Sequence, residues 1–485
     1  MLRTTAAIQN ERPAMRPLIV DLDGTLIKTD LLVEGFLGLM TASPANAMRA
    51  LFVLPTGKAA FKECIADQIV PDPSLLPYNE SVLDKLQSEK RSGREIYLVS
   101  ASDERNVEAV ANYVGLFEGA IGSKNGRNLS AEQKAAMLVE KFGEKGFDYI
   151  GNGSADIPVW KCANQCYLAG VKSGATDGYF RQFENMEEVG RWSCGPRTHL
   201  KAIRLHQWLK NLLVFVPMLM AHQFDLETVG RAVLAFLSFS LCASSVYVTN
   251  DLLDLQNDRT HARKKFRPLA SGLMPHSNAI LLAILLLGGA FIIGALLPPA
   301  FLVMLSVYLV TTFSYSVYLK RIALVDVSIL AVLYTIRIFA GGLAVGIQVS
   351  EWLMAFSVFF FLFLAIVKRY TELGDSLRNN KPVSKGRGFV VEDLPILGSF
   401  AAAAGNTSVL VLALYTTNEN VSLLYRSPEL LWGASLLLLF WINRMLFMSH
   451  RGLVHDDPII FAATDRVSIG IGVSMGLVFF ASIFL

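Results

Sequence analysis

Three aspartates, Asp251, Asp254 and Asp258, stand at i, i+3 and i+7 in the stretch NDLLDLQNDRTHARKKFRPLASG (250–272). A helix running through this stretch lines them along one face, with Asn250 beside Asp254. Like charges on one face repel unless a cation joins them, so Asn250, Asp251, Asp254 and Asp258 form a candidate metal platform. Mg²⁺ suits it, because that ion takes one or two carboxylates and completes its shell with water and substrate phosphate oxygens. The chemistry indicated is departure of a diphosphate held through metal. The competing reading is a solvated helix end whose acids pair with Arg259, Arg263 and Lys264. A second constellation lies in PLIVDLDGTLIKTD (17–30), where an apolar strand delivers Asp21 to its tip and Asp23 and Gly24 follow. A carboxylate there is exposed as a nucleophile toward a phosphate, and Asp23 is placed to exchange a proton.

These residues need two kinds of scaffold. The 485 residues are 53% hydrophobic with mean hydropathy +0.42, and the long apolar runs fall after about residue 205, near the length that spans a bilayer. Residues 1–192 have mixed polarity and short strand-like runs and predict a soluble α/β domain. The Gly/Pro-containing SCGPRTH segment marks a linker over 193–205, and 206–485 reads as an all-α membrane domain. Hydropathy predicts nine spans, near 207–225, 229–249, 277–297, 299–318, 323–346, 352–370, 394–416, 428–449 and 466–485.

Basic residues gather before the first span (Lys201, Arg204, Lys210), after the second (Arg263, Lys264, Lys265, Arg267), after the fourth (Lys320, Arg321) and after the sixth (Lys368, Arg369, Lys381, Lys385, Arg387). The positive-inside rule makes that side cytoplasmic, and an odd span count then puts the C-terminus outside. The opening MLRTTAAIQNERPAMRP lacks an apolar signal region, so the soluble domain is expected to stay in the cytoplasm, with a bacterial inner membrane as the setting. Five cysteines without paired spacing predict reduced, structural thiols and no zinc site. A net charge of +3 is too small to suggest nucleic acid.

Arg337 lies well inside DVSILAVLYTIRIFAGG. An unpaired guanidinium there costs about 2.5 to 3.5 kcal/mol on insertion scales, so it is expected to face a polar cavity and meet substrate phosphate. A bridge to Asp326 on the same helix is the alternative, but eleven positions is about three turns. RLHQWLKN (204–211), with Lys210 and Asn211, and KRYTELGD (368–375), with Lys368, Arg369 and Glu372, bring further polar groups to span ends. Lys320 joins the same basic side.

NDLLDLQND followed by RPLASG resembles the first aspartate-rich motif of the UbiA superfamily of intramembrane prenyltransferases. RLHQWLKNLLVFVP, DVSILAVLYTIRIFAGGLA and KRYTELGD are similar to its decaprenyl-phosphate phosphoribosyltransferase branch. The resemblance covers 200–485. It implies a nine-helix fold, Mg²⁺, phosphoribosyl pyrophosphate as the diphosphate donor and a polyprenyl phosphate lipid as acceptor. A second aspartate-rich motif of the usual form is missing, and KRYTELGD stands in its place. Lys210, Arg267, Arg337, Lys368 and Arg369 are expected to share the phosphates of the two substrates.

The N-terminal part, with DLDGT, EIYLVSAS (95–102), Lys134 and YIGNGSADIPVW (149–160) in order, resembles the haloacid dehalogenase superfamily. That resemblance implies a Rossmann-like core with a small helical cap over about 30–90. It makes Asp21 the nucleophile and Asp23 the acid/base. Ser100 and Lys134 hold phosphate, and Asp21, Asp23, Asn152 and Asp156 surround Mg²⁺. Asn152 departs from the acidic residue usual at its position. Together the halves imply transfer of 5-phosphoribosyl to the lipid, with the soluble domain removing the 5-phosphate afterwards. The alternatives are an aromatic prenyltransferase using an isoprenyl diphosphate, with a degenerate phosphatase domain, and a transporter or lipid-binding scaffold, against which the acidic motif counts.

Overall fold

The computed structural model describes residues 15–124, 128–378, 388–418, 425–454 and 458–484, so Lys381, Lys385 and Arg387 lie outside the described residues. Two compact units emerge, and they are not colinear with the sequence. One holds residues up to Arg204 together with Tyr247–Ala283; the other holds Leu205–Val246 and Ile284–Leu485. The aspartate-bearing segment therefore clusters with the α/β domain. The expected linker contains a helix, Pro196–Ile203.

Six parallel strands build the first unit: β1 (Leu18–Val20), β2 (Ile96–Asp103), β3 (Gly119–Ser123), β4 (Asp148–Gly151), β5 (Cys166–Val171) and β6 (Met186–Trp192), in spatial order β3-β2-β1-β4-β5-β6. β1 pairs with β2 on one side and β4 on the other. Leu18, Ile19 and Val20 are consequently all fully buried, which is why this strand reads as an unbroken apolar run. One face packs on helices α4 (Glu80–Arg91) and α5 (Glu104–Val114) through Val82, Leu86, Val107 and Val110. The other packs on α6 (Ala131–Phe142) and α7 (Ile157–Cys162) through Leu138, Val159 and Trp160.

Between β1 and α4 come α1 (Leu31–Ala42), α2 (Pro44–Val53) and α3 (Lys58–Ala66), which share a small core of Leu39, Ala47, Ala50, Phe61 and Ile65. Of the residues expected in a cap over about 30–90, those of α4 instead lend their apolar stripe to the sheet.

The second unit is helical. Among the described residues, eight helices are long and apolar enough to cross a membrane, and Leu226–Leu253 and Val325–Val345 are the most enclosed, each 61% buried over its apolar window. Arg466–Phe484, at 17%, shows most of its window outward, as expected of side chains whose solvent is lipid. The first predicted span is corrected: residues 207–225 are not one long helix. Leu205–Phe215 winds as 3-10 and only Val216–Met220 is α-helical. Pro217, which lacks an N–H, and the polar His206, Gln207, Lys210 and Asn211 oppose a continuous apolar helix. The parity argument for an outside C-terminus therefore turns on this broken segment. The segment lies tightly against Val325–Val345, where a Cβ on Gly341 would fall 2.1 Å from the Val214 carbonyl oxygen. All five cysteines are free.

Candidate functional sites

At the C-terminal tip of β1, the Asp21 N–H donates to the Ile150 carbonyl at 3.0 Å and places this carboxylate between the central strands. The Lys134 ammonium, carried by α6, donates to Asp21 Oδ1 at 2.7 Å and to the Tyr149 hydroxyl at 3.0 Å. Tyr149 in turn donates to Asp156 Oδ1 at 2.6 Å. Asp23 Oδ2 accepts from the hydroxyls of Ser100 (3.0 Å) and Ser102 (2.6 Å), and its Oδ1 accepts from the Leu31 N–H at the start of α1 (2.8 Å). Burial pushes Asp21 up to about 7 against the pull of Lys134. Burial, then the Asp30 charge, pushes Asp23 up to about 6. Asp23 is thereby able to hold a proton near neutral pH and release it, as an acid/base must.

Asn152, at the end of β4, reaches the same turn. Gly24 has φ +73°, and a Cβ there would lie 2.0 Å from the Asn152 amide nitrogen, so only glycine leaves room for it. All six residues singled out in this domain, Asp21, Asp23, Ser100, Lys134, Asn152 and Asp156, thus converge at the strand tips. Asp156 differs from expectation. Its Oδ2 accepts the N–H groups of Asn152 (2.9 Å) and Gly153 (3.2 Å), and its other oxygen accepts Tyr149, so it fastens the Asn152 loop instead of offering a free ligand. Asp23 is likewise filled by protein donors. Asp21 and the Asn152 side-chain oxygen are the hard oxygen donors that fit Mg²⁺ here, with phosphate and water completing its shell. Ser102 went unnoticed, although its period-two spacing from Ser100 on a strand puts both hydroxyls on one face.

In the aspartate-bearing segment the predicted continuous helix is interrupted at Asp254, although the Asp254 N–H still donates to the Asn250 carbonyl at 2.9 Å and the Asp258 N–H to the Asp254 carbonyl at 2.8 Å. The long helix ends at Leu253 and a short one, Leu255–Thr260, begins after Asp254. Among the described residues, no three acids, histidines or cysteines gather closely enough to hold an ion by themselves. Asp251 and Asp258, both buried, instead meet across one guanidinium: Arg267 Nη1 lies 3.1 Å from Asp251 Oδ1 and 2.5 Å from Asp258 Oδ2. Arg204 also pairs with Asp251. The acids do find cations, Arg267 and Arg204, whereas Arg259 of the solvated-end reading pairs with Glu34. One position before Asp251, Asn250 Oδ1 is a buried acceptor with no hydrogen-bond donor. An orphaned oxygen in the segment that carries these carboxylates is a hard donor of the kind a divalent cation takes, with Asn250, Asp251 and Asp258 as the residues that would hold it.

Within the helical unit, Arg337 is 4% exposed. Its Nε donates to Asn211 Oδ1 at 2.9 Å, Nη2 to the Tyr308 hydroxyl at 3.0 Å and Nη1 to the Leu333 carbonyl. The guanidinium also lies 4.9 Å from the Tyr308 ring centroid and 5.4 Å from that of Tyr334. Arg337 therefore sits in a polar and aromatic niche, away from an Asp326 bridge. Asp326 belongs to Arg369, whose Nη2 lies 3.0 Å from Asp326 Oδ1, while Nη1 donates to Glu372 at 2.6 Å. Arg369, expected at substrate phosphate, and Glu372, a further polar group at the same span end, are thus engaged with carboxylate and guanidinium partners of their own. Lys210 lies 5.9 Å from the Tyr334 ring centroid, and Lys320 and Lys368 are half-buried.

A parallel-sheet α/β domain followed in the chain by a bundle of long apolar helices defines an integral membrane protein. Residues 212–459 match the UbiA prenyltransferase family. The chain is 38% identical to the uncharacterized protein y4nM of Sinorhizobium fredii over 94% of its length and 89% of the relative's. It is 31% identical to decaprenyl-phosphate phosphoribosyltransferase of Mycolicibacterium smegmatis over 58% of this chain and 93% of that one. Among solved structures, a UbiA homolog from Archaeoglobus fulgidus bound to DMAPP and Mg²⁺ covers 59% of this chain and 100% of its own at 17% identity and TM-score 0.45. A HAD family hydrolase from Salmonella enterica covers 36% and 70% at 17% identity and TM-score 0.24. The chain belongs to the UbiA prenyltransferase family.

Proposed function

We propose that this UbiA-type transferase moves a 5-phosphoribosyl group from phosphoribosyl pyrophosphate to a polyprenyl phosphate, and that its α/β domain then removes the 5-phosphate. The observation that carries the reading is the pairing of Asp251 and Asp258 across Arg267, in a segment that also holds the unpartnered Asn250 oxygen. The name of the Mycolicibacterium relative supports the donor and acceptor. Mg²⁺, when bound, supplies charge neutralisation to the leaving pyrophosphate.

The chain's own part in transfer is electrostatic. Arg267 and Arg204 stand beside Asp251 and offer guanidinium donors to a diphosphate. The lipid phosphate is an anion at neutral pH, so it attacks the ribosyl C1 without a strong general base as the C1–O bond to pyrophosphate breaks. In the soluble domain Asp21 attacks the 5-phosphate phosphorus, Asp23 gives its proton to the departing ribosyl oxygen, and Lys134 offsets charge on the phosphoryl group. Water then cleaves the phosphoaspartate, with Asp23 taking up the proton.

The active sites are proposed to face the cytoplasm of a bacterial inner membrane. The deciding experiment gives purified protein either phosphoribosyl pyrophosphate with polyprenyl phosphate, or an isoprenyl diphosphate with an aromatic acid. Release of pyrophosphate only from the second pair would replace this reading with an aromatic prenyltransferase. The same lipid 5-phosphate supplied to wild type and to Asp21→Asn tests the second step, and equal phosphate release from both rejects it.

A further inference from the structure

Glu34 is an acid in the otherwise apolar helix LLVEGFLGLMTA, and neither proposed reaction uses it. Its side chain is 1% exposed, and it is answered by a residue 225 positions away. Arg259 Nη1 donates to Glu34 Oε2 at 2.9 Å and Nη2 to Oε1 at 2.6 Å, a two-pronged pair whose arginine is 6% exposed. His276 Nε2 lies 3.8 Å from the same carboxylate. Both partners belong to one compact unit.

Arg259 directly follows Asp258, and its remaining Nε donates to the Ala270 carbonyl at 3.0 Å. The bond ties the outgoing helix Leu255–Thr260 to the returning strand of chain that carries Arg267, the residue shared by Asp251 and Asp258. Two further points seat this loop on the α/β domain. Gly272, at φ +70°, passes so near Lys28 and Pro77 that a Cβ would fall 2.7 Å from the Lys28 Cβ. On α1, a Cβ on Gly38 would lie 3.5 Å from the Gln256 side-chain nitrogen.

We infer that the buried Glu34–Arg259 pair is an internal dock through which the α/β domain sets the geometry of the aspartate motif, making Glu34 a positioning residue for the transferase. Fork-to-fork geometry fixes direction as well as charge, and a buried guanidinium deprived of its carboxylate does not stay where it was. The first turn of α1 also supplies the Leu31 N–H to Asp23, so one helix touches both acidic sites.

The inference rests on the transferase reading for its meaning, but its test does not need turnover. Full-length protein in lipid nanodiscs is compared as wild type, Glu34→Gln and the double variant Glu34→Leu/Arg259→Met, which removes both charges at once and preserves the fold where the single variant fails. Hydrogen exchange of peptides covering 255–272 is expected to quicken about tenfold in the variants, with β1 and β4 unchanged. Mn²⁺ titrated by electron paramagnetic resonance, in an Asp21→Asn background that removes the other site, is expected to bind the aspartate segment about tenfold more weakly. Wild-type exchange and Mn²⁺ affinity in the double variant overturn the dock, and altered exchange with unaltered Mn²⁺ affinity overturns the positioning role. A wild type that binds no Mn²⁺ there and transfers nothing sinks the transferase reading itself, and this inference with it.

Discussion

The two acidic sites are built on opposite plans. At the strand tips, Asp21, Asp23, Ser100, Lys134, Asn152 and Asp156 come from positions spread over more than a hundred residues, and the sheet brings them together. Their excess negative charge is left in place, met mainly by Lys134 and by neutral donors, and burial drives both nucleophile-side carboxylates upward. In the segment 250–272 the acids are neighbours in sequence, yet the helix breaks at Asp254 and two of them are already matched by Arg267 and Arg204. The first arrangement keeps its carboxylates short of positive charge until a cation arrives. The second is compensated beforehand, so in the proposed reaction a metal would have to displace or share those guanidinium groups.

The sharpest way to break this comparison is Asp21→Asn. Phosphate release should fall by about 10³-fold or more, while pyrophosphate release from phosphoribosyl pyrophosphate stays at the wild-type rate. Parallel loss of both would show the sites to be one. Next in size, Asp251→Asn should cut pyrophosphate release by roughly 10²-fold or more, since it weakens the donor set and loosens Arg204 and Arg267 together. Hydrolysis of soluble ribose 5-phosphate by the same protein is the control and should not change.

A gentler change sharpens the contrast. Asn152→Asp adds a carboxylate beside Asp21, and the Mg²⁺ concentration giving half-maximal phosphate release should drop by about 3- to 10-fold. An unchanged requirement would place the ion away from Asn152. The smallest effect concerns stability. Asp21 and Asp23 hold protons more tightly folded, at about 7 and about 6, than at their ordinary 3.8. Between those limits the folded state binds more protons, so their contribution favours folding at low pH and is lost as pH rises toward 7. Thermal unfolding of the α/β domain without Mg²⁺ should show this slope, and the Asp21→Asn/Asp23→Asn variant should flatten it.

Much of this was readable from the chain. Leu18–Val20 announces a buried central strand because all three residues are apolar, and four ordered motifs outline the strand tips. Asn211 and Arg337 stand out as polar residues in an apolar context, and the structure joins them at 2.9 Å. Other features defeat local reading. Asp251, Asp254 and Asp258 have helical spacing, but spacing alone carries no information about the break at Asp254. Arg369 and Glu372 look available for substrate until Asp326, 43 positions upstream, is found beside Arg369. Leu205–Met220 is apolar enough to resemble a span, whereas its winding follows from Pro217 and from polar groups that need partners.

The sequence by itself determined the two classes of scaffold, the greasy helices and the parallel sheet, because hydropathy and side-chain periodicity are properties of consecutive residues. It also placed the two aspartate constellations, whose chemistry follows from residue type and short spacing. Only the tertiary structure decided which cation answers which acid: Arg267 for Asp251 and Asp258, Arg369 for Asp326, Arg259 for Glu34. Electrostatic pairing depends on distance in space, and contacts that join positions 34 and 259 leave no trace in the order of residues between them.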